Sequence, residues 1–196
     1  MQLSLLDPCS TPPAIDPTLR GLRRVELGQG AWLDHLPRWV IGQQQLFDAL
    51  AAGLDWKRSE RTMYERVVDV PRLLASVPPG GGHPVVGLIA RTLSARYGRP
   101  LHGLSAAWYR DGRDSVAPHG DRVRHRDDAL VCTVSLGQPR PFQLRPVGGG
   151  RGLDLRLGWG DLVVMGGTAQ QTWLHGIPKV ASAGPRICLM LRESPE

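Results

Sequence analysis

Cysteine is scarce and scattered in this chain. The 196 residues include three, Cys9, Cys132 and Cys188, with no CxxC pair. That spacing argues against a disulfide framework or a zinc site and suits a reducing compartment. Long apolar runs are missing too. No uninterrupted run of about 18 apolar residues occurs, so no membrane span is expected. The N-terminus lacks a basic stretch ahead of a long apolar core, so no secretory signal is expected. A cytoplasmic protein is the resulting expectation. There is no internal repeat, no heptad pattern and no long low-complexity tract. Lysine is nearly missing as well, since 22 of the 24 basic residues are arginine. A GC-rich coding sequence inflates arginine generally, so that count alone names no partner.

The charge that is present is uneven. The formal net charge is +6, divided as −2 over residues 1–56, +7 over 57–126 and +1 over 127–196. The positive charge gathers in a polar, arginine-bearing connector, 55–82, and around His119. A polyanion passing over this region would be attracted to it.

The length fits one domain with a core large enough to need no covalent staples. Residues 1–21 hold four prolines (Pro8, Pro12, Pro13, Pro17) and little periodicity, which predicts a mobile arm. Residues 42–53 read as a helix with Leu46, Phe47, Leu50 and Leu54 on one stripe. Residues 84–97 read as a stronger helix, with Pro84 at its first position, Gly98 at its end, and Val85, Leu88, Ile89, Leu93 and Tyr97 facing inward. The second half alternates with period two. Leu130, Cys132, Val134 and Leu136, then Phe142 and Leu144, then Leu153, Leu155 and Leu157, and finally Ile187, Leu189 and Leu191 each stand opposite their neighbours. The short apolar run Leu162 to Met165 and several glycine turns lie between. Successive short strands of this kind predict a sandwich or jelly roll, whose mouth is a natural ligand site.

Within that frame, His119-Gly120-Asp121 offers an imidazole and a carboxylate to one ion, because residues i and i+2 of a strand share a face. His175 lies 56 residues later, far enough to return on another strand. Two histidines and one carboxylate leave other metal positions open, as in the facial triad of non-haem Fe(II) oxygenases. Taken alone, the triplet also fits a surface loop with a charge pair. Arg186 and Arg192 stand on the face opposite Ile187, Leu189 and Leu191, about 20 Å apart along a straight strand. They could lean together on one elongated dianion, or be two solvated arginines on an edge strand. Asp161, between Gly160 and Leu162, reads as a strand-opening turn residue. His35, His83, His102 and His125 read as surface or loop groups.

In order along the chain stand Trp108-Tyr109-Arg110-Asp111-Gly112, His119-Gly120-Asp121, Gly160-Asp161-Leu162-Val163-Val164-Met165-Gly166-Gly167, His175-Gly176-Ile177, and Pro185-Arg186 through Arg192. This series resembles the AlkB family of Fe(II)/2-oxoglutarate dioxygenases, over about Leu104 to Arg192. The resemblance implies a mainly β protein with flanking helices, in the α+β class, built on a double-stranded β-helix (jelly-roll, cupin-like) core. The core would span about 104–192, with helices and a substrate lid at about 40–103. Together they would form one dioxygenase domain over 22–196. The implied activity is oxidative dealkylation of N-alkylated bases in nucleic acid, DNA in particular, releasing formaldehyde and succinate, by a monomer. Fe(II), 2-oxoglutarate and O2 are the implied cofactor and co-substrates. His119, Asp121 and His175 would bind the iron. Arg186 would take the distal carboxylate of 2-oxoglutarate. Arg192 would sit near the chelating carboxylate and brace Asp121, and Tyr109 would donate its hydroxyl to the co-substrate.

The resemblance also carries departures. Ala107 stands where the family often has Asn, Cys188 where Asn is common, and Met190 where Thr is common. Polar contacts to the co-substrate are then fewer, or rebuilt by other groups. Val123 stands where repair enzymes often carry an acid near the flipped base, with Asp127 or Asp128 as substitutes. An alkylated base must leave the stack to be reached. Tyr64 is the candidate to stack on it, or else a packed strand residue, and Met63, Arg110 and Arg122 are placed with it as substrate contacts. Trp173 shares parity with His175, so it lines the same pocket or is buried core. A hydroxylase of a protein or small molecule on the same scaffold is the alternative. Gln2-Leu3-Ser4-Leu5-Leu6 resembles the pentapeptide by which bacterial proteins dock on the replication sliding clamp, an extended peptide with two apolar anchors.

Overall fold

Residues Val131–Gly137 are buried at all seven positions, so both faces of that strand are covered. The reason lies in two layers packed on either side of it. The computed structural model describes residues 11–193 apart from 59, 64–65, 70, 79–81 and 122–127, with backbone alone over 60–63 and 66–69. Along the chain, β1 (Ala14–Ile15), β2 (Arg23–Gly28), β3 (Ala31–Leu36) and β4 (Val40–Ile41) precede helix α1 (Gln43–Gly53). Then come β5 (Glu60–Met63), β6 (Arg66–Asp69), β7 (Leu73–Ser76) and helix α2 (Pro84–Tyr97). The remainder is mostly strand: β8 (Gly103–Tyr109), β9 (Val116–His119), β10 (Val131–Gly137), β11 (Arg140–Pro146), β12 (Leu153–Leu157), β13 (Asp161–Gly167), β14 (Trp173–Ile177) and β15 (Arg186–Arg192). A single-turn helix, α3 (Ala169–Thr172), joins β13 to β14.

Seven strands form one sheet in the order β2-β3-β13-β10-β15-β8-β7, and four form another in the order β12-β11-β14-β9. Every pairing between these described strands is antiparallel. The fold is therefore mainly β, with a jelly-roll core and helices on one side. Period-two alternation divides the burial. Cys132, Val134, Leu136, Ile187, Leu189 and Leu191 pack with Leu46, Phe47 and Leu50 of α1 and Ile89 and Leu93 of α2. Val131, Tyr109, Val163 and Cys188 point the other way, against Phe142, Leu144, Leu157 and Ile177 of the smaller sheet. Each fully buried Leu or Ile contributes about 1.5–3 kcal/mol. The second interior, between the sheets, holds the functional groups.

Both helices form over the expected residues, and their caps explain the boundaries. The His83 ring accepts a hydrogen bond from the backbone N–H of Val85 at the start of α2. His83 thus has a capping role rather than being a bare loop group. Gly98 ends α2 at φ 64, a left-handed conformation that favours glycine. Inside α2, Val86 and Ala90 are buried, while Leu88 and Tyr97 are half-buried. The Tyr97 hydroxyl donates to Asp34 at 2.9 Å. Arg24 donates two bonds to the same carboxylate, at 2.7 and 2.8 Å, and lies 3.7 Å from the centre of the Trp32 ring. Asp34 is only 2 % exposed, and this set of donors satisfies a charge that would otherwise be costly to bury. Burial, and then Asp34, keep the Tyr97 phenol protonated.

One expectation is corrected. The segment 1–21 is not mobile throughout. From Ala14 it is tied down by the pairs Ala14↔Ile41 and Ile15↔Val40, by a hydrogen bond from Trp39 Nε1 to the Asp16 carbonyl, and by burial of Leu19. A two-residue strand leaves no periodicity to read. The polar connector 55–82 contains strands that its sequence pattern did not define. It carries the β5–β6 hairpin and then β7, which joins the large sheet beside β8. Asp161 behaves as a turn residue, accepting from the backbone N–H groups of Arg38 and Gly158.

Candidate metal centre and anion pocket

His119 and His175 are direct cross-strand partners on β9 and β14. Their rings are 4.4 Å apart, centre to centre. Asp121 lies just past the end of β9, and its Oδ1 is 3.7 Å from His119 Nε2. One ligand atom from each of the three falls within 4.8 Å of the others, the one such group among the described residues. The structure thus brings His119 and Asp121 together through a different geometry from the i, i+2 alternation of one strand. The strand stops at His119, and Gly120 carries the chain around. A Cβ on Gly120 would collide with the carbonyl oxygen of Gln170, so only glycine lets the turn sit this close to α3.

Surrounding groups orient each ligand. His119 Nδ1 lies 2.9 Å from the Ala117 carbonyl oxygen. That bond puts the proton on Nδ1 and leaves the Nε2 lone pair for an ion. Burial, then the neighbouring His119, push the His175 imidazole down to about 4, so it is neutral and able to ligate at ordinary pH. Phe142 stacks beside it at 5.9 Å. Arg192 donates from Nε and Nη2 to Asp121 Oδ2, at 3.1 and 2.8 Å. The Asp121 backbone N–H donates to Gln170 Oε1 at 2.9 Å. One carboxylate oxygen is thereby held, and the other is left facing the histidines. Gln170 was invisible in the sequence, because nothing in its local pattern distinguishes it from a solvated helix residue.

Deeper between the sheets is a second polar feature. Arg186 is 1 % exposed, on a strand flanked on both sides by β10 and β8, so the edge-strand reading does not hold. Its Nη2 donates to Ser135 Oγ at 2.7 Å. Its Nε and Nη1 have no partner, and among the described residues no carboxylate pairs with it. A buried, unpaired cation costs several kcal/mol, and an anion would remove that cost. Tyr109 is its cross-strand neighbour, with the guanidinium 5.2 Å from the ring centre. Burial raises the Tyr109 phenol first, and then the Cys188 nearby, so its hydroxyl stays protonated and can donate.

Arg186 and Arg192 do not lean on one grip here, since one serves Ser135 and the other Asp121. The unusual residues Ala107 and Cys188 face each other across β8 and β15, both buried. Ser135 and Ser105 are the polar groups present instead. Arg192 Nη1 lies 3.4 Å from Ser105 Oγ.

Arg140 is the residue that sequence reading missed. It is fully buried and donates to the carbonyl oxygens of Asp111, Gly112, Asp114 and Pro178. It therefore fixes the loop leading into β9 against the loop leaving β14. The signal was available: Arg140 shares the parity of Phe142 and Leu144, both of which face the core.

Of the residues expected to meet substrate, Trp173 is buried with Phe142 and Leu144 rather than lining an open pocket. Arg110 is bound bidentately to Asp114. Asp128 forms an ion pair with Arg99. Tyr64, Arg122, Val123, Asp127 and His125 lie outside the described residues, as does Gln2–Leu6. Met63 ends β5, with its backbone alone described.

The sequence profile of the 2OG-Fe(II) oxygenase superfamily matches residues 93–192. The chain belongs to that superfamily. Its sequence relatives are AlkB homologues, in keeping with the motif resemblance. The bovine alpha-ketoglutarate-dependent dioxygenase alkB homolog 3 is 26% identical over 171 residues, covering 75% of this chain and 60% of that protein. The chain thus spans about 60% of the length of that relative. Among solved structures, a 2OG-Fe(II) oxygenase family oxidoreductase from Burkholderia pseudomallei superposes with a TM-score of 0.58. It is 15% identical, over 82% of this chain and 84% of that one. OsALKBH1 superposes with a TM-score of 0.56 at 15% identity, over 88% and 100%. At these identities the superpositions establish the fold.

The superfamily takes Fe(II), 2-oxoglutarate and O2, and the residues of this oxygenase fit that set. The donor set His119, Asp121 and His175 suits Fe(II) with open positions. The Arg186 guanidinium, with Nε and Nη1 still lacking partners, suits a buried carboxylate. Among the described residues, no helix is long and apolar enough to cross a membrane.

Proposed function

We propose that this chain is an Fe(II)- and 2-oxoglutarate-dependent dioxygenase that removes alkyl groups oxidatively from nucleic-acid bases, DNA in particular, releasing formaldehyde and succinate. The observation that carries the reading is the pairing, between the same two sheets, of an open histidine–carboxylate triad with a buried arginine that lacks an anion. The likeness to AlkB homologues and the positive charge of residues 57–126 support nucleic acid as the substrate.

Bound iron with its co-substrates supplies the oxidising power, and the protein does the rest. His119, Asp121 and His175 hold the ion. Arg192 fixes the Asp121 carboxylate so that one oxygen faces it, and Gln170 holds the Asp121 backbone N–H. Arg186 anchors the far carboxylate of 2-oxoglutarate, with the Tyr109 hydroxyl as a further donor. The apolar walls of Phe142, Met190 and Cys188 exclude water. The base would be turned out of its strand to reach this site, with Tyr64, Met63 and Arg122 as candidates to receive it.

The deciding experiment is formaldehyde release from oligonucleotides bearing 1-methyladenine or 3-methylcytosine, beside an Asp121→Ala control. Release that vanishes in the control supports the reading. Turnover of 2-oxoglutarate without formaldehyde from either lesion would overturn it. That outcome would favour a hydroxylase of a protein or small molecule, the alternative that Val123 keeps open. Docking of Gln2–Leu6 on a sliding clamp is part of the proposal. A pull-down unaffected by changing Leu5 and Leu6 to Ala would remove it.

A further inference from the structure

At the root of the β5–β6 hairpin lies a groove of about 420 Å³. Five cationic side chains line it: Arg58, Arg72, Arg110, Arg113 and Lys179. Two carboxylates do as well, and both are engaged, Asp111 by Arg113 and Asp114 by Arg110. The lining therefore keeps an excess of three positive charges.

The groove is built rather than assembled from chance neighbours. Lys57 and Leu74 exchange backbone hydrogen bonds at 2.8 and 2.9 Å, which brings the two feet of the hairpin, Arg58 and Arg72, to one place. The Ser115 N–H donates to the Pro71 carbonyl, and Arg72 donates back to the Ser115 carbonyl. The Val180 N–H donates to the Gly112 carbonyl. Arg140 then ties the Arg110–Asp114 loop to Pro178, the residue before Lys179. One buried guanidinium thus locks two of the cation-bearing segments together, and the bonds at Ser115 join the hairpin feet to them. Their charges are held near one another before any ligand arrives, and that lowers the ordering cost of binding one.

We propose that this groove binds the phosphodiester backbone of a nucleic-acid strand, at a distance from the base being processed. The proposal rests on the nucleic-acid reading above and adds a second contact to it. Planar guanidinium forks match phosphate oxygens, and four of the five cations are arginines. Arg113 stands six positions before the metal ligand His119, at most about 20 Å of extended chain. A strand with one base at the metal could lay a phosphate a few nucleotides away into the groove. A trinucleotide offers the groove fewer phosphates than a long strand does, so its turnover depends less on it. The groove then selects for polymer length, and the metal site selects for the lesion.

The test is the double variant Arg58→Glu, Lys179→Glu, two exposed side chains outside the metal and co-substrate sites. Binding of a long, unmodified single strand of DNA is measured against salt, beside dealkylation of a methylated long strand and a methylated trinucleotide. Thermal melting and uncoupled 2-oxoglutarate turnover confirm that the variant is folded. The expected result is an affinity for the long strand reduced about tenfold or more, with a shallower salt slope by about one to two, and a rate that falls less on the trinucleotide than on the long strand. An unchanged affinity and slope would overturn the proposal while leaving the dealkylase reading intact. If no substrate is dealkylated but binding still depends on Arg58 and Lys179, the groove stands and the dealkylase reading falls. Displacement of the strand by polyglutamate as readily as by competing DNA would overturn the phosphodiester assignment.

Discussion

Arg192 gives two hydrogen bonds to the same oxygen of Asp121, at 3.1 and 2.8 Å. The two residues lie 71 positions apart, and the bond reaches from the last residue of β15 to the turn after β9. It leaves Asp121 Oδ1 as the oxygen nearer to His119, at 3.7 Å. Groups that orient a metal ligand are typically worth about 10–100-fold in metal affinity. Arg192→Met is therefore expected to weaken Fe(II) binding by about that factor, read as the iron concentration for half-maximal turnover. An unchanged iron requirement would mean that Asp121 orients itself without help.

Arg186 should behave differently from an ordinary buried residue. Its guanidinium has two nitrogens without partners, so removing it takes away a cost as well as a function. Arg186→Met is expected to raise the KM for 2-oxoglutarate by at least about 30-fold, since a truncated buried charge contact costs about 2–5 kcal/mol. The melting temperature of the ligand-free protein is expected to hold or rise. A large loss of stability in the ligand-free variant would show that Arg186 is satisfied in some other way.

Arg140 is expected to do the opposite. Arg140→Met would leave the carbonyl oxygens of Asp111, Asp114 and Pro178 without that donor, whereas Gly112 keeps its bond from Val180. Buried groups left unsatisfied cost about 1–3 kcal/mol each. A loss of about 3 kcal/mol or more is expected in urea unfolding. A loss under about 1 kcal/mol would mean that water replaces the arginine.

His35 gives the protein a pH dependence of known sign. Its Nε2 is buried without a partner, and burial lowers its pKa from the ordinary value of 6.5. Below that value the unfolded chain takes up a proton that the folded chain resists. Stability from this group is therefore complete above pH 6.5 and is lost as pH falls toward the lowered folded pKa. Urea unfolding at several pH values is expected to give a flatter acid limb for His35→Leu than for the parent. Parallel limbs would contradict the assignment.

The elements most legible in the sequence were those whose environment is set by one simple period. The strands β10, β11, β12 and β15 alternate because one face meets the helices or the opposite sheet, and α2 carries its Pro84 start and Gly98 stop. β3 was not legible. Its burial runs buried, half-buried, buried, buried, half-buried, buried, and its buried Asp34 is made tolerable by Arg24 and Tyr97, 10 and 63 residues away. No local pattern encodes such a partner. The same holds for the site. Residue type and spacing singled out the triad and the two arginines, and only the motif resemblance implied roles for them. Gln170, Ser135 and Ser105 could not be assigned, and the parity of Arg140 marked it as inward-facing without showing what it binds, because their roles come from what the fold brings beside them.

The most direct test of the account measures succinate and formaldehyde together from one 3-methylcytosine single strand, with Fe(II) and 2-oxoglutarate supplied. The account expects the two products in equal amounts, both lost in Asp121→Ala, and both restored toward the parent rate in Arg186→Met by raising 2-oxoglutarate. Succinate without formaldehyde would contradict a base dealkylase. Formaldehyde that survives in Asp121→Ala would contradict the metal centre itself.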